Sequence, residues 1–208
     1  MHMTVVSAYA PTRKATAVVK DRFFEDLQRT VDGVPASDLL LLLGDFNARV
    51  GSHDGNEWKD VLGRFGHGVR NDAGERLSVW CAANGLAIMN THFRKPSAKQ
   101  GTWTHPATKQ QHLIDFVVMR QAQRRFCRDV SVMRGANCWT DHFLVRLKLR
   151  VDLPSPDVTR STHRGSCLWP LISCQTLLFA SGSPSALQTA YSINLILILL
   201  LLLTNGKP

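Results

Sequence analysis

Acidic, amide and histidine side chains occur in four short stretches of the sequence, each next to an apolar run. The stretches are Tyr9-Ala10-Pro11, Gly44-Asp45-Phe46-Asn47, Leu113-Ile114-Asp115-Phe116 and Thr140-Asp141-His142. Carboxylates and amides at the ends of buried strands are suited to ligand binding and to proton transfer. Each stretch taken alone is also consistent with a polar turn, so the chemistry depends on whether the fold brings the four together.

The second stretch follows five consecutive leucines, residues 39–43. A run without polar alternation predicts a strand that is covered on both faces. Asp45 and Asn47 are two residues apart, so an extended chain would direct both side chains to the same side. A ligand site and a polar turn in which Asp45 accepts from the backbone are equally good interpretations of this stretch alone.

Asp115 is unusual because it interrupts the apolar run Leu-Ile-Asp-Phe-Val-Val. A buried carboxylate is costly unless it is paired or hydrogen-bonded. We therefore expect a histidine elsewhere in the fold to be its partner, since such a pair fixes the imidazole ring for proton transfer or phosphate contact. The adjacent pair Asp141-His142, by contrast, is on its own more typical of a polar turn.

Strands and helices alternate along the chain, which predicts an α/β sandwich. Apolar residues spaced by four (Val19, Phe23, Leu27 and Val31) predict one helix, and a capping box at Asp72 and Glu75 predicts the start of another. Residues 52–69 are rich in glycine, histidine and charge, and are predicted to form a long surface loop. The predicted elements are helices at 15–31 and 73–83 and strands at 4–9, 39–43, 86–90, 102–104, 113–119, 130–133 and 143–149.

The composition is that of a basic globular protein. The net charge is +9, the sequence pI is about 9.8 and 44% of residues are hydrophobic, which favours partners that carry phosphate groups. The five cysteines show no CxxC pair, so free thiols in a reducing compartment are expected. No secretory signal is visible at the N-terminus, and we expect an intracellular protein of the nucleus or cytoplasm that does not bind membranes.

The chain divides into residues 1–151, which carry all the motifs, and residues 152–208, a tail with few charges. After Leu153 the charged residues are Asp157, Arg160, Arg164 and Lys207, and the tail contains an apolar run at 195–203. That run is well short of the roughly 20 apolar residues of a membrane-spanning helix. We interpret the tail as read-through sequence outside the domain, with a weak membrane anchor as the alternative.

Taken in order, the motifs resemble the endonuclease/exonuclease/phosphatase superfamily. The stretches that carry the resemblance are VVSAYAPT, LLLLLGDFNARVG, GRFGHGVRNDAGERL, NGLAIMNTHF, GTWTHPATKQQHLIDFVV and DVSVMRGANCWTDHFLV, within residues 4–149. They are most similar to the endonuclease domains of non-LTR (LINE-type) retrotransposons and to craniofacial development protein 2-like proteins. The resemblance implies a partial four-layer α/β sandwich, in which two packed mixed sheets are flanked by helices and the N-terminal half is absent.

The resemblance also implies roles for the residues of the four stretches. Asp45 would orient or deprotonate the attacking water, and Asn47 would hydrogen-bond the phosphate group. His142 would stabilise charge on the phosphate, and Asp115 would hold that imidazole within hydrogen-bonding distance. These four are the predicted catalytic residues, and they should converge at the ends of the strands.

Two further roles concern the phosphate and the metal ion. The resemblance implies that Tyr9 lines the phosphate pocket and that Asp141 is a metal ligand for Mg²⁺, with Mn²⁺ as a second candidate. The implied partner is DNA. An early Asn and the Glu that is the family's main metal ligand have no counterpart in this sequence, and Thr140 replaces the usual Ser. We therefore expect this chain alone to nick DNA slowly or not at all.

Three functional hypotheses remain: a Mg²⁺-dependent DNA endonuclease of retrotransposon descent, a non-catalytic relic that at most binds nucleic acid, and a phosphodiesterase acting on an inositol phosphate or a lipid. The basic pI and the stretch GRFGHGVRNDAGERL argue against the third. A basic stretch either contacts DNA phosphates or forms the solvated outer side of a helix; its members are Arg120, Arg124, Arg125, Arg128 and Arg134. Four other histidines are interpreted as loop residues without a ligand role; they are His53, His67, His92 and His105.

Overall fold

The computed structural model describes residues 2–53, 58–135, 140–152 and 190–197. Its strands and helices in chain order are β1 (Met3–Tyr9), α1 (Ala17–Asp32), β2 (Leu39–Asp45), α2 (Asp72–Ala83), β3 (Leu86–Ile88), β4 (Trp103–Thr104), β5 (Gln111–His112), β6 (Asp115–Arg120), β7 (Cys127–Met133), β8 (Leu144–Asp152) and β9 (Ala190–Leu197). Short 3-10 helices span Met89–His92, Ser97–Lys99 and Gln121–Phe126. Every helix and strand predicted from the sequence is present within a few residues of its expected bounds.

A four-stranded sheet in the order β1-β2-β6-β3 contains the leucine run. Strand β1 is parallel to β2, whereas β6 is antiparallel to both β2 and β3. All seven residues of β2 are buried, as a strand without polar alternation predicts. The register places Tyr9 beside Asp45, and Asp45 opposite Asp115, so three of the predicted site residues meet at one end of this sheet.

A second sheet packs on the first and completes the sandwich. It is antiparallel and has the order β7-β8-β9. Leu147 and Leu149 of β8 are buried with Leu39, Leu41 and other side chains from one face of the first sheet. The other face of that sheet packs on the apolar sides of α1 and α2. Helices, sheet and sheet form three layers of the described chain, which confirms the predicted partial α/β sandwich.

The two helices follow the predicted pattern with two corrections. Leu27 and Val31 are buried, but Val19 is 49% exposed because it lies in the first turn of α1, beyond the edge of the core. The N-cap of α2 is Asn71 rather than Asp72. The Asn71 side chain accepts from the backbone N–H of Gly74, and it also accepts from the N–H of Arg49, so the cap fixes the loop after β2 as well.

The predicted surface loop at 52–69 is more ordered than its composition suggests. Residues 54–57 lie outside the described residues, but Trp58, Val61 and Leu62 are buried, and Leu62 forms a parallel bridge with Ile88 of β3. The prediction of a surface loop did not include these three apolar residues, which cover the β3 edge of the sheet.

Two strands were not predicted from the sequence. Strand β5 pairs with β4 as a short hairpin, and β9 pairs with β8 along eight residues. Residues 153–189 and 198–208 lie outside the described residues, and the assignment of the tail to a segment outside the domain stays a prediction. Among the described residues, no helix has the length and apolarity needed to cross a membrane.

Candidate active site

Asp45 is the last residue of β2, and its position is fixed by the backbone around it. The preceding Gly44 has a φ of 152°, and a Cβ there would lie 1.8 Å from the carbonyl oxygen of Ala8 on the neighbouring strand, so no side chain fits. One Asp45 carboxylate oxygen, Oδ1, accepts from the backbone N–H of Asn47 at 2.8 Å. The carboxylate is therefore held at the end of the sheet while remaining beside a second acid.

That second acid, Asp115, is 2% exposed and is positioned by two polar residues that the sequence analysis had not identified as part of the site. The Thr102 hydroxyl accepts from the backbone N–H groups of Ile114 and Asp115, each at 3.1 Å. The Asn90 amide donates to the Asp115 carbonyl and accepts from the N–H of Val117. These bonds fix the start of β6, from which the Asp115 side chain extends.

The predicted contact between Asp115 and His142 is confirmed. His142 Nδ1 lies 3.0 Å from Oδ2 and 3.3 Å from Oδ1 of Asp115. With Asp45, these residues form a cluster in which one ligand atom of each lies within 4.8 Å of the others. We call Asp45, Asp115 and His142 the Asp-His cluster.

Burial and crowding change the proton affinity of this cluster. Burial and the neighbouring charge of Asp115 raise the pKa of Asp45 to about 6, against the lowering effect of its bond from Asn47. Burial alone would lower the pKa of His142, but the hydrogen bond and charge of Asp115, with the charges of Asp45 and Asp141, outweigh it and raise that pKa. The cluster therefore holds a carboxylate with a higher pKa than an isolated aspartate and an imidazole with a higher pKa than an isolated histidine.

Asp141 is near the cluster but is exposed and bonded differently. Its Oδ2 accepts from the indole N–H of Trp103 at 2.6 Å, and it is not one of the three residues within 4.8 Å of one another. Trp103 also forms an antiparallel bridge with His142, and its ring stacks on His112. The β4-β5 hairpin, which carries Trp103, thus contacts both Asp141 and His142.

Tyr9 and Asn47 complete the predicted set. Tyr9 is 54% exposed and lies beside Asp45 in the sheet register. Asn47 has a φ of 46°, so the chain is no longer extended there, and the argument that placed its side chain by strand alternation was wrong. Its amide instead donates to the carbonyl of Ala10 at 2.8 Å, which ties the loop after β2 to the loop after β1. All six predicted residues thus gather at one end of the two sheets, and their individual roles stay predictions.

The residues of the Asp-His cluster fit a divalent cation in charge and in ligand type. Two carboxylates, buried to 4% and 2% exposure, face each other, and their repulsion contributes to the raised pKa of Asp45. A cation bound by Asp45 would relieve that repulsion. Carboxylate oxygens are also the ligands that Mg²⁺ and Mn²⁺ prefer.

The basic stretch does not form a single exposed face. Arg120 donates to the carbonyls of Val34, Pro35 and Asp38, so it has a structural role that neither interpretation included. The remaining arginines lie on a 3-10 helix, on β7 and in the turn after it, and Arg134 packs over the ring of Phe143. Of the cysteines, Cys81 and Cys127 are free and buried, as expected, and the other three lie outside the described residues.

The chain is similar to known proteins in sequence and in fold. No protein-family model matches the chain. Craniofacial development protein 2 of Bos taurus is 40% identical over 160 residues, which cover 76% of this chain and 26% of the relative. The chain therefore spans about a quarter of the length of that curated relative.

Two solved structures of NExo from Neisseria share the fold. One, described as a 3′ phosphatase bound to product DNA hairpin, has a TM-score of 0.51 at 20% identity and covers 69% of this chain and 59% of its own. The other, described as a 3′-5′ exonuclease, has a TM-score of 0.51 at 21% identity with the same coverage. The chain has the endonuclease/exonuclease/phosphatase fold. In sequence it is similar to part of craniofacial development protein 2 of Bos taurus.

Proposed function

We propose that the Asp-His cluster and the residues around it form part of a site that hydrolyses phosphodiester bonds of DNA with the help of a divalent cation. The observation that carries this proposal is the 3.0 Å contact between His142 Nδ1 and Asp115 Oδ2, directly beside the buried carboxylate of Asp45. A buried carboxylate–imidazole pair next to a second acid is an arrangement suited to proton transfer.

His142 acts on the phosphate in this proposal, and Asp115 positions it. Asp115 accepts from Nδ1, which fixes the ring and leaves Nε2 for the substrate. Because the pKa of His142 is raised, the ring keeps its proton to higher pH than a free histidine. The protonated Nε2 donates a hydrogen bond to a phosphate oxygen and stabilises the negative charge that develops there.

Asp45 acts on the attacking water. Its pKa of about 6 means that the carboxylate is mostly ionised at neutral pH, yet is a stronger base than an ordinary aspartate. The bond from the Asn47 N–H to Oδ1 holds the carboxylate in place, and Oδ2 can then accept a proton from water. Tyr9 and Asn47, at the same end of the sheet, are proposed to contact the phosphate.

A divalent cation would be held by carboxylates of this end of the sheet, Asp45 and Asp141. When bound, it supplies positive charge to the scissile phosphate. We propose Mg²⁺, with Mn²⁺ as a substitute, because the oxygen ligands are hard. The indole N–H of Trp103 restrains Asp141, whose carboxylate is otherwise exposed.

DNA is the proposed substrate for two reasons. The net charge of +9 favours a polyanion. The Neisseria protein with the same fold was solved with a product DNA hairpin.

The experiment is nicking of supercoiled plasmid by the chain during long incubations with Mg²⁺, Mn²⁺ or EDTA. We expect slow, cation-dependent nicking that falls at least about 100-fold in Asp45→Asn and His142→Gln. The matched control is Asp26→Asn, an exposed acid on α1.

Equal nicking by the wild type, Asp45→Asn and His142→Gln would refute the assignment. Binding of plasmid without any nicking by the wild type would instead support the alternative, a relic that binds nucleic acid.

A further inference from the structure

A second group of titratable residues surrounds a cavity of about 700 Å³ at the β3 edge of the first sheet. The cavity shares no lining residue with the Asp-His cluster. Its walls are His53, Lys59, Leu62, Gly63, Arg64, Phe65, His92 and Arg124. Pockets of this volume accommodate a nucleotide or a similar small molecule.

The segment that forms one wall is held in place by the backbone. The N–H of Ile88 donates to the carbonyl of Val61 at 2.8 Å, and the N–H of Phe65 donates to the carbonyl of Thr91 at 2.9 Å. The Thr91 hydroxyl accepts from the N–H of Gly63 at 2.7 Å. The cavity is therefore built between two segments that are bonded to each other, rather than between loose loops.

The described lining residues of the cavity carry a net positive charge. Lys59, Arg64 and Arg124 line it, none of the described lining residues is acidic, and none of the three cations forms an ion pair with another described residue. Among the described residues, Arg124 donates to the carbonyl of Asp60, at 3.3 Å. Three cations without carboxylate partners around one concave surface attract an anion, and arginine in particular binds phosphate.

Two imidazoles add hydrogen-bonding capacity. Nδ1 of His53 and Nε2 of His92 are covered from solvent and have no hydrogen-bond partner among the described residues. Unpaired polar atoms of this kind are costly. Burial and the charge of Arg124 lower the pKa of His92, against the raising effect of its bond to the Val61 backbone, so its ring is neutral at neutral pH and its unpaired nitrogen can accept. Phe65, 36% exposed, provides an aromatic surface at the same cavity.

We infer that this basic cavity binds a nucleotide unit, with its phosphate on Lys59, Arg64 and Arg124 and its base against Phe65 and the two imidazoles. Bases stack on aromatic side chains while cationic side chains follow the phosphates in many nucleic-acid sites. The nucleotide is either free or one unit of a strand. The inference goes beyond the proposed function because binding here involves none of the residues of the Asp-His cluster and requires no hydrolysis.

The test is fluorescence anisotropy of the full chain with two probes, a fluorescent ADP analogue and a fluorescein-labelled oligothymidylate, both in EDTA so that cation-dependent hydrolysis plays no part. We expect Lys59→Ser and Arg64→Ser each to weaken binding about tenfold, since each removes a charge-assisted contact. Arg22→Ser on α1, which removes the same charge from an exposed site, should change the affinity less than about twofold.

A second variant separates the base from the phosphate. Phe65→Leu should weaken binding of the ADP analogue about tenfold, because the base loses its aromatic contact. Inorganic pyrophosphate should still compete with the analogue for this variant, because the cationic side chains are unchanged. Binding of both probes assigns the cavity to any nucleotide, and binding of the oligonucleotide alone assigns it to a strand. Failure of both probes to bind, or equal weakening by Arg22→Ser and Arg64→Ser, would overturn the inference.

Discussion

The Asp-His cluster lies at one end of the first sheet and the basic cavity at its β3 edge, and the two differ in the sign of their charged groups. In the cluster, two acids and a histidine are crowded together, Asp115 is bonded to His142, and Thr102 and Asn90 fix the backbone beneath Asp115. In the cavity, three cations form no ion pair and two ring nitrogens have no hydrogen-bond partner among the described residues.

The difference indicates what each region is built to bind. Like charges that remain close in a folded protein require a compensating ligand or cost stability. The cluster, with its acids and its raised carboxylate pKa, suits a cation and a proton. The cavity suits an anion.

The largest expected effect is on the nicking rate, and it comes from the substitution of Asp115. Asp115→Asn keeps the shape of the side chain but removes the charge that holds His142. We expect nicking to fall about 100- to 1,000-fold and the pKa of His142 to fall below its wild-type value, since the bond and charge of Asp115 raise it. The measurements are the nicking rate and the NMR titration of His142. An unchanged titration of His142 in Asp115→Asn would show that the two residues are close but not energetically coupled.

The second-largest expected effect is on the free energy of unfolding, because the carboxylate of Asp45 lies close to that of Asp115. The folded pKa of Asp45, about 6, lies above the ordinary aspartate value of about 3.8 that applies in the unfolded chain. Ionisation therefore costs the folded state, and stability falls as the pH rises from about 4 through about 6. Asp45→Asn does not ionise. We expect its free energy of unfolding to exceed that of the wild type by about 2 kcal/mol at pH 7.5 in EDTA, with no gain at pH 4.

Urea denaturation followed by circular dichroism measures this difference. Asp26→Asn, which removes an exposed acid that pairs with Arg22 and Arg29, should not gain stability at pH 7.5. A gain for Asp45→Asn that is the same at both pH values would contradict the crowding of Asp45.

A third prediction uses pH to identify the base. If Asp45 must be ionised, the nicking rate should fall about tenfold per pH unit below about 6. Asp115→Asn removes a charge that raises the pKa of Asp45, so in the residual activity of that variant the acid limb should move to lower pH. A limb that stays in place would indicate that another group is the base.

The smallest expected effect lies at the edge of the cluster. Trp103→Phe keeps the ring beside His142 but removes the N–H that donates to Asp141 at 2.6 Å. Because Asp141 is exposed, we expect only a three- to tenfold loss of nicking and little change in unfolding. The measurement is the nicking rate of the wild type and of Trp103→Phe as a function of Mg²⁺ concentration. If Asp141 holds the cation, the concentration that gives the half-maximal rate should be higher in the variant.

The elements of this fold were predictable because their patterns are local. Five leucines without alternation specify the buried strand β2, and apolar residues at helical spacing specify α1. The pairing of Asp115 with a histidine was predictable for a different reason, because a carboxylate in an apolar strand needs a partner. That His142 is this partner came from the resemblance and not from any local pattern.

Other features depend on contacts that sequence spacing does not encode. Thr102 and Asn90 are ordinary polar residues in the sequence, and only the folded chain shows them beneath Asp115. The αL conformation of Asn47 breaks the alternation that an extended chain would have had. His53 and His92 were interpreted as loop residues because nothing in their spacing indicates that one cavity lies between them.

The most direct test of the central claim, that His142 held by Asp115 acts on the phosphate, is chemical rescue. His142→Gly should nick DNA at least about 100-fold more slowly than the wild type, and added imidazole should restore much of the rate by occupying the space beside Asp115. In the double variant with Asp115→Asn, imidazole should restore little, since nothing orients the added ring. Wild-type nicking by His142→Gly without imidazole, or equal rescue of the single and double variants, would contradict the account.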